Sequence, residues 1–236
     1  IIVKTKVPIV FTSAGSPKIW TRWLKERGIK VAHVVASSFF AEKCEAAGVD
    51  AIVAEGFEAG GHNGREETTT LTLIPAVRKA TGLPLLAAGG ISSGRSMLAA
   101  MTLGADGVQM GSRFAISEES SAHPDFKKLV TEIGEGGTKL ALKKLAPVRL
   151  VKNDFFNLVN AAEQKGAGTE ELKELLGRGR AKRGMFEGDL KNGELEIGQV
   201  SSQISEILPV SKIMSNLLSE YLSAREEIIK GGNYQF

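Results

Sequence analysis

The feature that most restricts this chain is an alternation running through its first two-thirds. Short, near-continuously apolar runs rich in β-branched residues occur at 8–13, 30–36, 51–55, 83–88 and 107–110, separated by helix-like stretches at 17–27, 39–47, 68–81 and 94–103. Unbroken apolar runs of this length suit parallel strands that are covered on both faces. The helical stretches close at Gly28, Gly48, Gly82 and Gly104, the position where a left-handed residue satisfies the last helical carbonyls. A weak internal repeat marks two of these corners. Gly48-Val49-Asp50-Ala51-Ile52-Val53 and Gly104-Ala105-Asp106-Gly107-Val108-Gln109 share a helix-stop glycine, a turn aspartate and the start of the next strand. The alternation predicts a parallel sheet, open or closed into a barrel, with ligands at the carboxyl ends of its strands. Glycines crowd there, at Gly15, Gly56, Gly60, Gly61, Gly89, Gly90 and Gly111.

Composition removes other classes. With 236 residues, 42% hydrophobic and 24% charged, the chain has enough apolar material for a sizeable core and is not disordered, collagen-like or coiled-coil. One cysteine, Cys44, excludes an internal disulfide framework and any Cys-rich metal site. No apolar run approaches the roughly 18–20 residues that cross a bilayer, and the first residues lack a secretory-signal pattern. A cytoplasmic protein with no membrane role is expected. The formal charge of +3 is too slight to imply a nucleic-acid partner.

Three polar-glycine clusters follow strands. Glu55-Gly56-Phe57-Glu58-Ala59-Gly60-Gly61-His62 puts an imidazole, suited to proton transfer near neutral pH, in a loop with freedom to approach a bound ring; a surface histidine among turn glycines is the plainer alternative. Ala87-Ala88-Gly89-Gly90-Ile91 and Gln109-Met110-Gly111-Ser112-Arg113-Phe114 lie at consecutive strand ends, where glycines let backbone N–H groups converge on a phosphate; bare tight turns are the alternative. His33, inside an apolar strand, reads as a hydrogen-bonded core residue. His123, before Pro124-Asp125, reads as a helix cap, and Cys44 as core. No metal spacing, no G-x-S-x-G and no dinucleotide fingerprint is present.

After about residue 135 the texture changes. Gly134-Glu135-Gly136-Gly137 reads as a flexible break, followed by a Lys-rich segment, a short run at 148–151, helices near 154–164 and 169–177, and turns over 187–193. The basic stretch 178–183 suits either the 2′-phosphate of NADPH, an acidic carrier protein, or a solvated charged face. A final helix near 209–230 carries Ile213, Met214, Leu217, Leu218, Tyr221 and Leu222 on one apolar face.

At these residues the chain resembles the flavin-dependent nitronate monooxygenase/2-nitropropane dioxygenase family, which includes the FabK-type enoyl-acyl-carrier-protein reductases. The resemblance rests on the three clusters above and on Glu119-Ser120-Ser121-Ala122-His123-Pro124, Phe186-Glu187-Gly188-Asp189 and Gly198-Gln199-Val200. It implies an α/β fold of the FMN-binding TIM (βα)8-barrel type. Gly89-Gly90 and Gly111-Ser112 match the family's FMN-phosphate loops, with Ala88, Gln109 and Met110 on the strands leading in. Glu55, Gly60 and Gly61 match positions lining the flavin, Ser13, Ala14 and Gly15 match the fourth strand end, and His62 matches the active-site histidine. The Gly-Ser-Arg-Phe and Glu-Ser-Ser-Ala-His-Pro segments look closer to the FabK type. The resemblance therefore implies NAD(P)H-dependent reduction of the double bond of enoyl-acyl-carrier protein in fatty acid synthesis, with a small-molecule or acyl-carrier-protein-linked substrate as partner and a homodimer as a candidate assembly. Nitronate oxidation by O2 is the alternative within the family. A non-flavin phosphate-binding barrel and an inactive fragment are the alternatives outside it.

One departure shapes the expectation. The family barrel begins with three further βα units, which carry a Gly-Gly-Met-type flavin loop and an Asn, whereas the first strand here resembles the fourth of eight. The expected organisation is five βα units over 1–134, a helical and loop appendage over 135–208, and a last helix over 209–236 docking back on the barrel. Five strands alone would leave two unpaired edges and an interior that cannot close around FMN.

Overall fold

The computed structural model describes residues 1–231. Five parallel strands, β1 (Ile9–Thr12), β2 (Lys30–Val35), β3 (Ala51–Glu55), β5 (Leu85–Ala88) and β6 (Gly107–Gln109), form one sheet in the order β1-β2-β3-β5-β6. The order advances along the chain without reversal, so right-handed crossovers put every connecting helix on the same side. That is barrel winding, and it differs from a doubly wound sheet, whose strand order turns back at a switch point. The helices α2 (Ser38–Ala46), α3 (Thr70–Ala80) and α4 (Gly94–Thr102) bury Ala41, Cys44, Leu73, Ile74, Val77 and Ala100 against Val31, Ile52, Ala54, Leu85 and Ala87 of the sheet. Alternate strand residues point the other way. There Ala32, Val53 and Ala88 form a smaller cluster with Val34, Ala51 and Leu86, as residues lining a barrel interior would. The sheet's two ends, β1 and β6, are not paired to each other. On β1 the side chains of Ile9 and Phe11 are 51% and 52% exposed.

The repeat read in the sequence corresponds to two equivalent corners. Asp50 accepts the Val31 N–H at 2.9 Å and returns its own N–H to the Val31 carbonyl at 2.7 Å. Asp106 does the same with Leu85, at 2.8 and 2.7 Å. Gly28, Gly48 and Gly104 are left-handed as expected. Gly82 is not, because α3 ends on Thr81 in an extended conformation. The first helix is also shorter than read, with α1 spanning Thr21–Lys25. His33 is buried and hydrogen-bonds Thr12 Oγ1 through Nδ1 at 2.7 Å, Cys44 is core, and His123 Nδ1 accepts the Asp125 N–H at the start of α6 (Pro124–Glu132).

The segment after residue 135 is not only helix and loop. Residues Thr138–Ala141 form β7 and Val148–Val151 form β8, and these pair antiparallel with a two-residue strand, β4 (Gly61–His62), in the order β4-β8-β7. The Lys-rich composition hid β7, since Leu140 and Ala141 are its only deeply buried side chains. The helices α7 (Asp154–Gln164) and α8 (Thr169–Leu176) cover this sheet through Phe155, Phe156, Val159 and Leu172. The basic stretch opens α9 (Arg180–Met185), and its charges are largely engaged within the protein. Arg180 donates to the Leu175, Leu176 and Asn192 carbonyls, Lys182 pairs with Glu187, and Arg183 pairs with Asp189. A short 3-10 turn (Gln199–Gln203) leads to α10 (Val210–Ile229), which packs on α4. The approach is close enough that a Cβ on Gly94 would meet Glu220 and the backbone of Leu217 and Tyr221. So close a crossing buries a narrow stripe. Ile213, Leu217 and Ala224 are buried, while Met214, Leu218 and Leu222 of the expected apolar face stay exposed. Residues 232–236 of the expected last helical unit lie outside the described residues. Among the described residues no helix is long and apolar enough to cross a membrane, and no group of His, Cys, Asp and Glu could hold a metal ion.

Candidate active site

A cleft of about 210 Å³ opens at the carboxyl ends of β3, β5 and β6. It gathers Glu55, Gly60, Ala88, Gly89, Gly90, Gln109, Gly111 and Ser112 from the residues singled out in the sequence. The segment after α9 closes it with Glu196, Ile197 and Val200, and Met185 contributes from α9 itself.

The glycines on its floor are dictated by close approach. Gly89 and Gly90 are consecutive left-handed residues at φ +85° and +71°. A Cβ on Gly89 would stand 2.5 Å from the Gly56 carbonyl oxygen. Gly60 is held against the Ile197–Gly198 backbone with no room for a side chain. Among the described residues the backbone N–H groups of Gly89, Gly90, Gly111 and Ser112 have no acceptor from the protein itself. Unspent donors grouped at two neighbouring turns fit an anionic group. The Ser112 hydroxyl is not part of that set. It accepts the Gly198 N–H at 2.9 Å and ties the two walls of the cleft together.

Three carboxylates face the same space, and none was separable in the sequence from an ordinary loop acid except Glu55. Burial pushes the Glu55 carboxyl up to about 7. Burial also raises Glu196, against a smaller opposing pull from the His62 charge. Glu58 is already committed: it accepts the Thr70 N–H at 2.9 Å and the Thr70 hydroxyl at 3.0 Å, so it caps α3. With Glu55 about half protonated near neutral pH, the cleft offers a donor as well as acceptors to a hydroxylated ligand.

The remaining expected residues sit outside this cleft. Gly61 and His62 form β4 beside it, paired with Arg149 and Val148 of β8. The Glu196 Oε2 lies 2.5 Å from where a Gly61 Cβ would be, so Glu196 stands between the cleft and the histidine's strand. His62 itself is exposed. Met110, although between two lining residues, packs against the main hydrophobic core. Ser13 and Ala14 line a separate depression with Thr12, His33 and Trp20, next to the turn at Gly15. The reason is distance. In this sheet β1 is two strands from β3, roughly 10 Å at strand spacing, so a short loop after β1 does not reach the cleft.

Arg149 was missed altogether. It is only 1% exposed, and its guanidinium donates to the Phe57 carbonyl at 2.7 Å through Nη2 and to the Ala59 carbonyl at 3.1 Å through Nε. No local pattern distinguishes it from a surface arginine, because its partners lie about 90 residues earlier in the chain.

Residues 1–220 match the family model for nitronate monooxygenase. The chain belongs to the nitronate monooxygenase family. A probable nitronate monooxygenase of Staphylococcus aureus (strain MRSA252) is 33% identical over 231 residues, covering 93% of this chain and 64% of that protein. A probable nitronate monooxygenase of Staphylococcus saprophyticus is 35% identical over 68% of this chain and 48% of its own length. The chain therefore spans about half to two-thirds of these relatives. FabK from Thermotoga maritima superposes with a TM-score of 0.91 at 39% identity, over 97% of this chain and 72% of that one. Family membership agrees with the winding of the sheet, since these neighbours share the same parallel α/β architecture.

Proposed function

We propose that this family member is an FMN-dependent oxidoreductase that reduces the double bond of an enoyl thioester, carrier-protein-linked or free, with NAD(P)H as reductant. The observation that carries the reading is the set of four unspent amides at Gly89, Gly90, Gly111 and Ser112 facing one cleft. At about 210 Å³ the cleft is below the roughly 300–1,000 Å³ of a complete small-molecule site, which suits the phosphate-bearing end of the cofactor. No lysine or arginine lines it, so the amides alone would grip the phosphate. Glu55 and Glu196 would meet the hydroxyls of the ribityl chain. Bound FMN supplies the two-electron chemistry. The chain's own part is to orient the ring, exclude water behind Ile91, Ile197 and Val200, and hold a proton at the His62 imidazole for delivery to the substrate α-carbon. We further assign the five parallel strands to a larger (βα)8 barrel that closes around the ring.

Nitronate oxidation is the second reading, supported by the curated Staphylococcus relatives and by nitroalkane oxidase from Streptomyces ansochromogenes, which superposes at TM-score 0.78 and 27% identity. FabK superposes more closely, and that favours reduction. In the second reading His62 would take a proton from the nitroalkane carbon. Absorbance under nitrogen separates the two. Rapid bleaching of the flavin band by NADPH supports the reductase, and bleaching only by a nitronate supports the oxidase. Protein with the larger barrel complete that takes up no FMN refutes both.

A further inference from the structure

Arg149 has no part in the reading above, yet it is the largest fully buried side chain in the described protein. A guanidinium away from water is costly unless its donors are used. Among the described residues no carboxylate lies within ion-pair distance of it. Its hydrogen bonds go to backbone carbonyls of one loop, Phe57 at 2.7 and 3.2 Å and Ala59 at 3.1 Å. Its Cζ lies over the Phe57 ring, 4.5 Å from the centroid. That loop joins β3 to β4 and forms the wall of the cleft through Glu58, Ala59 and Gly60. The strand carrying Arg149 also holds the loop's far end, since Gly61 pairs with Arg149, His62 with Val148, and the Asn63 N–H donates to the Pro147 carbonyl at 2.8 Å.

We propose that Arg149 is a positioning residue: its buried guanidinium clamps the Phe57–Ala59 backbone, so that strand β8 sets where His62 stands relative to the cleft. The fork is essential to the idea. A planar guanidinium reaches two carbonyls from fixed angles while stacking on a ring, and a lysine ammonium does none of these together. The phosphate grip at Gly89, Gly90, Gly111 and Ser112 belongs to other loops and stays intact when the clamp is lost. The inference rests on His62 as the proton-handling group, but the clamp itself is open to test without flavin.

The experiment is backbone amide hydrogen exchange on the protein with its larger barrel complete, for the wild type, Arg149→Lys and Arg149→Met, with FMN content, kcat and KM measured alongside. The expected result is exchange at least tenfold faster at residues 57–63 in both variants, unchanged exchange across α2, α3 and α4, unchanged FMN content, and kcat lowered tenfold or more at unchanged KM for the reductant. Full rescue by lysine would show that charge and not the fork matters, and would overturn the proposal. So would loosening spread evenly over the molecule. If Arg149→Met does not fold, Phe57→Leu, which keeps the carbonyls and removes the stacking ring, serves instead; unchanged exchange at 57–63 in that variant refutes the clamp. Protein that binds no FMN but shows the localised loosening sinks the flavin reading and leaves the clamp standing.

Discussion

Replacing Glu55 by Gln should remove one source of the pH dependence of stability, which comparison with the wild type reveals directly. In the folded protein burial moves this carboxyl from its ordinary 4.5 to about 7. The folded state therefore holds a proton that the unfolded chain has already released between those two values, and wild-type stability falls with rising pH across that window. Glu55's contribution is fully present below 4.5 and is lost as pH passes 7. The difference between the two values corresponds to about 3 kcal/mol. Glutamine keeps the shape and cannot ionise, so its advantage over the wild type should grow from near zero at pH 4.5 to about 3 kcal/mol at pH 8. Glu194, which burial also pushes up to about 7, is present in both proteins and cancels in the difference. Urea unfolding without added FMN reads this as a midpoint separation of about 1 M at pH 8, given a slope of roughly 3 kcal/mol per M for a chain of this size. A separation that is the same at pH 5 and pH 8 would show that Glu55 ionises as an ordinary surface acid, and the account of the cleft's donors would fail with it.

Three further outcomes are expected. His62→Ala should lower turnover by a factor of about 100 or more, the usual worth of a general acid or base, with flavin content by absorbance unchanged; full turnover contradicts its role. Gly89→Ala forces a left-handed φ on a residue whose Cβ would meet the Gly56 carbonyl, so it should lose retained FMN and destabilise the protein by about 1–3 kcal/mol; retained FMN on gel filtration counts against the phosphate loops. Ser93→Ala removes the side chain that accepts the Ser96 N–H at the start of α4 and should lower stability by about 1 kcal/mol in thermal unfolding, with flavin content unaffected.

The glycine-stopped alternation of apolar runs was enough to place all five parallel strands, and the aspartate repeat to place two of their corners, because strand and helix periods and turn chemistry are local. The same holds for Gly89, Gly90 and Gly111, whose position after a strand marks them as cleft residues. Met110 shows where local reading stops. It sits between two lining residues in sequence but points to the opposite face of the sheet, an outcome of pleating and register. Gly82 and the exposed half of α10 show the same limit, since a plausible cap or stripe is overruled by what the neighbouring element leaves room for.

What the sequence alone determined is therefore one parallel sheet with its glycine-rich turns at one end, while the strand order that gives it barrel winding came from the structure. Tertiary structure decided who shares the cleft. Glu58 turned inward to cap α3, Glu196 arrived from beyond α9, and Arg149 reached back about 90 residues to grip a loop. Each is a charged residue that looks solvated in sequence. Only chain crossings that no period encodes remove these groups from water, and burial then gives them their hydrogen bonds and raises Glu55 and Glu196 above the ordinary carboxylate range.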